Sequence, residues 1–273
     1  YLRELSLISE SGKGKQMDTV TVNGMVLSAM PIGEYDRRIV LLTTDLGRIS
    51  AFVRGARRPN SSLLAAARPF SMGIFTLHAG RDSYTVQAAS IKEYFEAVSS
   101  DVTKMAYGCY FLEAAGFASE ENDDGRELLN LLYFSLKALE NQAIPDELVR
   151  LVYEIRLFLV MGVYPQVFEC SVCKSKLTKG WLSVERGNCV CEECVKRKNE
   201  AHTSARLYLD ESAMYTLQYI LTAPIGRLYT FCLEEPVKRT LYDLTVKWRR
   251  RYFSREFKSL QVLEEMVHFM GTL

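Results

Sequence analysis

Between Thr19 and Ile91 apolar and polar residues alternate in short runs broken by glycine, asparagine and aspartate, the period-two signature of β-strands. Five strands are predicted: Thr19–Leu27, bent at Gly24; Arg38–Thr44; Arg48–Val53, joined to its predecessor through Asp45-Leu46-Gly47; Ser71–Leu77; and Tyr84–Ala88, paired with the fourth around Ala79-Gly80-Arg81-Asp82. So few strands leave exposed edges unless the sheet closes on itself, and a long, kinked first strand suits a barrel of the OB type. An SH3-like barrel fits the alternation nearly as well. Past Ser100 the apolar period lengthens to three and four, and helices are expected. The first is capped by Ser100-Asp101 and runs through Met105, Cys109 and Leu112 to Gly116. Glu127–Leu139 and Leu148–Met161 follow, the latter started by Pro145 and ended by Gly162 and Pro165. Three more lie near Asp210–Leu221, Glu235–Phe253 and Ser259–Met270.

The helical run is interrupted by cysteines. Cys170-x-x-Cys173 and Cys191-x-x-Cys194 are separated by seventeen residues, a spacing that lets two tight knuckles close a tetrahedron of thiolates round one ion. Such a site leaves no position for water, so the cofactor expected is structural Zn2+; four unligated thiols are the alternative. Cys189 is a bystander or an alternative ligand, and Trp181–Val184 reads as a strand of a small zinc ribbon. The predicted class is therefore α+β: a five-stranded OB-type β-barrel over residues 17–96, then a helical domain over 97–273 with an inserted four-cysteine zinc ribbon at about 168–200. Residues 1–16 read as a linker or expression-derived extension ahead of a native start at Met17.

A formal net charge of +1 gives no global field, so electrostatics must act locally. Residues 17–95 hold nine Lys or Arg against six acids, and Arg37, Arg38, Arg54, Arg57, Arg58 and Arg68 cluster along one strand and the loop after the third. Planar, bidentate guanidinium groups suit phosphate, and Tyr35, Phe52 and Tyr84 are candidate stacking faces beside them. A second cluster, Lys247, Arg249, Arg250, Arg251 and Arg255, follows an apolar face of Leu241, Leu244, Trp248 and Tyr252. The three consecutive arginines are expected to fan over the exposed side, binding phosphates or the carboxylates of an acidic protein tail. For both clusters, solvated surface charge is the alternative. His78, His202 and His268 lie far apart and no phosphate loop, nucleophile elbow or metalloprotease helix is present, so no enzyme is expected. The longest apolar run, Leu157–Tyr164, is too short to span a bilayer, and unpaired Cys109, Cys189 and Cys232 point to a reducing compartment. A cytoplasmic location is expected.

Gly33-Glu34-Tyr35-Asp36-Arg37-Arg38, Gly47-Arg48-Ile49-Ser50-Ala51-Phe52-Val53-Arg54-Gly55-Ala56-Arg57-Arg58-Pro59 and Arg68-Pro69-Phe70-Ser71 together resemble the amino-terminal part of the bacterial RecO recombination and repair mediators. The likeness continues at Arg156-Leu157-Phe158, Gly162-Val163-Tyr164-Pro165 leading into Cys170, and Phe257-Lys258-Ser259-Leu260. It implies a non-enzymatic protein that binds DNA, anneals complementary strands and, with RecR, helps load RecA onto single strands covered by single-stranded-DNA-binding protein. It also implies recognition of that protein's acidic, apolar carboxyl-terminal tail, and a nucleoid-associated place in the cytoplasm. The other class of function open to the chain is a zinc-ribbon interaction adaptor with little or no direct contact with nucleic acid.

Overall fold

A computed structural model describes residues 19–81, 83–198 and 206–270. The expectation for residues 1–16 falls outside the described residues, as do Asp82 and His202. Strands β1 (Thr19–Ile32), β2 (Asp36–Thr43), β3 (Arg48–Val53), β4 (Met72–Ala79) and β5 (Tyr84–Glu93) close into a barrel in the order β1-β2-β3-β5-β4. β4 returns antiparallel to β1, and β3 pairs β5 in parallel through Ala51↔Tyr84 and Phe52↔Thr85. That crossover decides for the OB-like barrel. Inside it lie Val22, Val26, Ile39, Leu41, Ile49, Ala51, Val53, Phe75, Leu77 and Val86. β1 outruns its predicted end at Leu27, because its second half pairs with β2 through Ile32↔Asp36. A bulge between Val26 and Ser28 lets β1 serve two cores: Val26 points into the barrel, while Met25 and Leu27 join the helical core outside it.

The helices are α1 (Glu96–Ser100), α2 (Val102–Ala118), α3 (Arg126–Glu140), α4 (Asp146–Val160), α5 (Glu192–Lys198), α6 (Glu211–Thr222), α7 (Glu235–Tyr252) and α8 (Lys258–Met270). Asp101 caps α2 as expected, its carboxylate accepting from the Lys104 amide at 3.0 Å. α1 escaped the sequence reading; it is a single short turn begun by Phe95 in the left-handed region, φ 50°. The main core runs through α2, α3, α4, α6 and α7 and takes in Met25, Leu27 and Leu42 from the barrel's outer wall and Phe70 from the segment ahead of β4. Burying each of those is worth roughly 2 kcal/mol, so the barrel is held as part of the body.

The join is also stitched through the backbone. The amides of Arg48, Asn122 and Gly125 donate to the carbonyls of Glu120, Leu46 and Thr44 at 2.8, 3.0 and 3.2 Å, locking the β2–β3 turn to the α2–α3 loop. Between α4 and α6 the chain forms a ribbon: β6 (Gly180–Ser183), β7 (Asn188–Val190) and β8 (Arg206–Leu209), ordered β7-β6-β8, with α5 beside them. The Gln218 amide on α6 donates to the carbonyls of Val167 and Leu177 at 2.8 and 3.0 Å, fixing the ribbon to the helices.

Candidate nucleic-acid interface and metal centre

The barrel arginines divide by what holds them. Arg37 sits at the barrel mouth opposite buried Val53, and its guanidinium donates to the Ala67 carbonyl at 2.8 Å, bracing the segment that closes that end. Arg38 lies on the outer face, its Nε donating to the Ser50 hydroxyl at 2.7 Å. The basic loop is tied to the β1–β2 hairpin tip: the Gly55 amide donates to the Asp36 carboxylate at 2.7 Å, and the Arg57 amide and guanidinium donate to the Tyr35 and Gly33 carbonyls at 2.9 and 3.2 Å. Arg58 lies over the Tyr35 ring, 5.2 Å from its centroid. Arg54, Arg57, Arg58 and Arg68 are exposed. None of the six arginines forms an ion pair among the described residues. Tyr35 and Phe52 are turned outward. Tyr84 differs, because its pairing with buried Ala51 puts it on the inward row, where it packs against the barrel core.

On α7 the expected fan of three arginines is only partly formed. Arg250 and Arg251 are exposed, but Arg249 is 9% exposed and turned inward. Its guanidinium lies 3.5 Å from Glu154 and 3.3 Å from Glu264, while Arg150 reaches the same two carboxylates at 3.0 and 2.8 Å. The Tyr110 hydroxyl donates to Glu154 at 2.9 Å. Burial alone pushes the Glu154 carboxyl up, but Arg150, Arg249 and the Tyr110 hydroxyl outweigh it and leave it below the usual glutamate range. Consecutive helical residues are 100° apart, so three adjacent arginines cannot share one face. The signal for Arg249 was its place in line with Leu241 and Thr245, together with the Arg150–Glu154 spacing on α4.

Those two buried arginines form one wall of a cleft of about 900 Å³ between α7 and α8. Arg250, Arg255 and His268 line its polar side, and Phe253, Phe257 and Leu260 its apolar side. Arg255 lies over the Phe117 and Phe257 rings at 5.9 and 5.3 Å. Lys247 is exposed and lies outside the cleft lining. Sequence reasoning missed Arg150, Glu154 and Glu264, whose importance comes from contacts across three helices.

In the ribbon, one sulfur from each of Cys170, Cys173, Cys191 and Cys194 lies within 4.8 Å of every other. Cys173 and Cys191 are 3.8 Å apart. Bonds of about 2.3 Å to a tetrahedral ion require sulfurs about 3.8 Å apart, so the four residues fit a metal ion. The Cys191 amide also donates to the Cys170 sulfur at 3.4 Å, tying the second cysteine pair to the first. Hydrogen bonds from the Ser175 hydroxyl and amide pull the Cys173 thiol down to about 6, whereas bonds with Cys173 and Cys191 push Cys194 up to about 12. A shared proton set of this kind is what a cation displaces. Cys189 stands outside the group. It is buried in the ribbon core, and burial pushes its thiol up to about 12.

A closed OB-like barrel bearing arginines that no carboxylate pairs, joined to a helical body with a four-cysteine ribbon, defines a two-part class of barrel-and-helix protein. Family models described as the recombination protein O N terminal and the recombination protein O C terminal match residues 17–95 and 99–261. The chain belongs to the RecO family of DNA repair and recombination proteins. It is 33% identical over 176 residues to the DNA repair protein RecO of Alkaliphilus metalliredigens, covering 64% of this chain and 72% of that relative. It is 28% identical over 252 residues to that of Acetivibrio thermocellus, covering 92% and 98%, and 27% identical over 251 residues to that of Bacillus subtilis, covering 91% and 96%. Among the described residues, no helix is long and apolar enough to cross a membrane.

Proposed function

We propose that this chain is a non-enzymatic mediator that binds single- and double-stranded DNA, anneals complementary strands and, with RecR, assists RecA loading on DNA covered by single-stranded-DNA-binding protein. One observation carries the reading: exposed guanidinium groups gather at the barrel's hairpin tip and basic loop with no carboxylate paired to them. Phosphates satisfy such groups and release counterions, so affinity falls steeply with added salt. The decisive experiment is strand annealing on oligonucleotides coated with single-stranded-DNA-binding protein, with Arg57→Ala/Arg58→Ala alongside. The double variant is expected to anneal slowly and to show a salt slope shallower by about one to two. Salt-insensitive binding, or none, defeats the reading.

The α7–α8 cleft supports a partner role as well. Exposed Arg250 and Arg255 beside Phe253, Phe257 and Leu260 offer cations and apolar surface together, as an acidic, apolar protein tail needs, while Arg150 and Arg249 behind them are held by Glu154 and Glu264. Titrating the full chain with a carboxyl-terminal tail peptide and, separately, with bare oligonucleotide distinguishes mediator from adaptor, since an adaptor takes the peptide alone. The four cysteines are assigned structural Zn2+, which would tie the ribbon's knuckles together. A cytoplasmic, nucleoid-associated location goes with this proposal.

A further inference from the structure

Residues directly opposite one another in a sheet share a face. In the ribbon this gives an inner row, Cys189–Leu182–Leu207, which packs into the main core, and an outer row, Val190–Trp181–Tyr208. Trp181 and Tyr208 belong to neither core and are half-buried. Their rings lie 5.0 Å apart and 52° from parallel, two π-faces meeting at an angle. Carboxylates gather round them. Glu192, at the start of α5, accepts from the Tyr208 hydroxyl at 2.7 Å, and Asp210 and Glu211 follow Tyr208 where the chain enters α6. The Glu192 bond, with burial and the charges of Asp210 and Glu211 behind it, pushes the Tyr208 hydroxyl up to about 12. Against these three acids stands Lys179, 3.4 Å from Glu211 in a pair whose side chains are 42% and 71% exposed, a contact easily opened. Arg206, two residues before Tyr208 on β8, already has a partner. Among the described residues Glu192 and Asp210 form no ion pair, although Asp210 accepts from the Ala213 amide at 2.8 Å.

We propose that the Trp181–Tyr208 face of the ribbon is a docking site for an arginine carried on a segment of a partner protein. It stands apart from the barrel arginines and from the α7–α8 cleft, and depends on neither. A guanidinium group is planar, stacks on an aromatic ring and forks to a carboxylate, so one side chain satisfies both halves of this face. A phosphate would meet three carboxylates here, which turns nucleic acid away and leaves a basic protein segment as the fitting occupant. The rings are also set in advance, because the row beneath them is anchored in the core, so little order has to be gained on docking.

The test uses a short glycine–arginine peptide with blocked ends, compared with the same peptide carrying citrulline, which keeps the shape and loses the charge. Fluorescence anisotropy of the labelled peptides on the full chain is expected to favour arginine by roughly tenfold or more. Quenching of Trp181 reports where the peptide sits, since Trp248 is only 1% exposed. Trp181→Leu, which keeps apolar bulk and removes the π-face, and Glu211→Gln should each narrow the ratio several-fold. Should Trp181→Leu fail to fold, the exposed Glu211→Gln change carries the comparison. Glu120→Gln/Glu121→Gln, acids on the α2–α3 loop, should leave the ratio unchanged. Equal affinity for the two peptides, a ratio untouched by the ribbon variants, or one narrowed as much by the loop variant overturns the site. Loss of oligothymidylate affinity in a folded Trp181→Leu chain would give the face to nucleic-acid bases and overturn it as well.

Discussion

Arg37 and Arg58 are both barrel arginines, yet their surroundings assign them opposite work. Arg37 satisfies a backbone carbonyl at the barrel mouth, so Arg37→Ala is expected to lower the melting temperature more than the DNA affinity. Arg58→Ala should leave the melting temperature nearly unchanged and weaken DNA binding, and a paired set of thermal melts and binding isotherms reads both effects. Glu154 shows what a buried charge costs when its partners are lost. It is fully buried between Arg150 and Arg249, so Glu154→Gln leaves two buried guanidinium groups to share the Glu264 carboxylate and is expected to cost about 3 kcal/mol in urea unfolding. Because folding depresses this carboxyl, its contribution is complete above the ordinary glutamate range and is lost as pH falls through the folded value. Unfolding curves of the parent and Glu154→Gln should therefore converge in acid and separate at neutral pH.

At the scale of elements, the β2–β3 turn meets the α2–α3 loop without room to spare. Gly47 has φ +60°, and a Cβ there would stand 2.1 Å from the Glu120 carbonyl oxygen. Gly47→Ala is expected to destabilise the fold by about 2 kcal/mol through the backbone alone, with the clash added, as read by chemical denaturation. Removing metal from the ribbon should loosen a different element. A chelator, or Cys173→Ala, is expected to change the fluorescence of Trp181, which packs against Tyr208 at 5.0 Å, and to lower the melting temperature, while barrel circular dichroism persists. Alternation and cysteine spacing made the barrel strands and the sulfur cluster legible, because both are local patterns. The far half of β1 was not legible: Ser28 and Pro31 resemble a turn, and only pairing with β2 holds them extended. Arg249 was misplaced for a related reason, since its carboxylates come from α4 and α8, far away in the chain.

For the molecule as a whole, the shared core matters most. Met25, Leu27 and Leu42 on the barrel wall, with Phe70 from the segment ahead of β4, are buried among helical residues such as Tyr110, Phe111 and Leu128. A single cooperative transition is expected in calorimetry, with barrel and helices melting together; two resolved transitions would contradict it.

That common wall bears on how the chain tolerates being cut. A break near Ser99, just past the barrel, would leave each piece with a greasy face made to fit the other. Neither should stay in solution alone, but expressed side by side the two should find each other and rebuild a nicked, working whole.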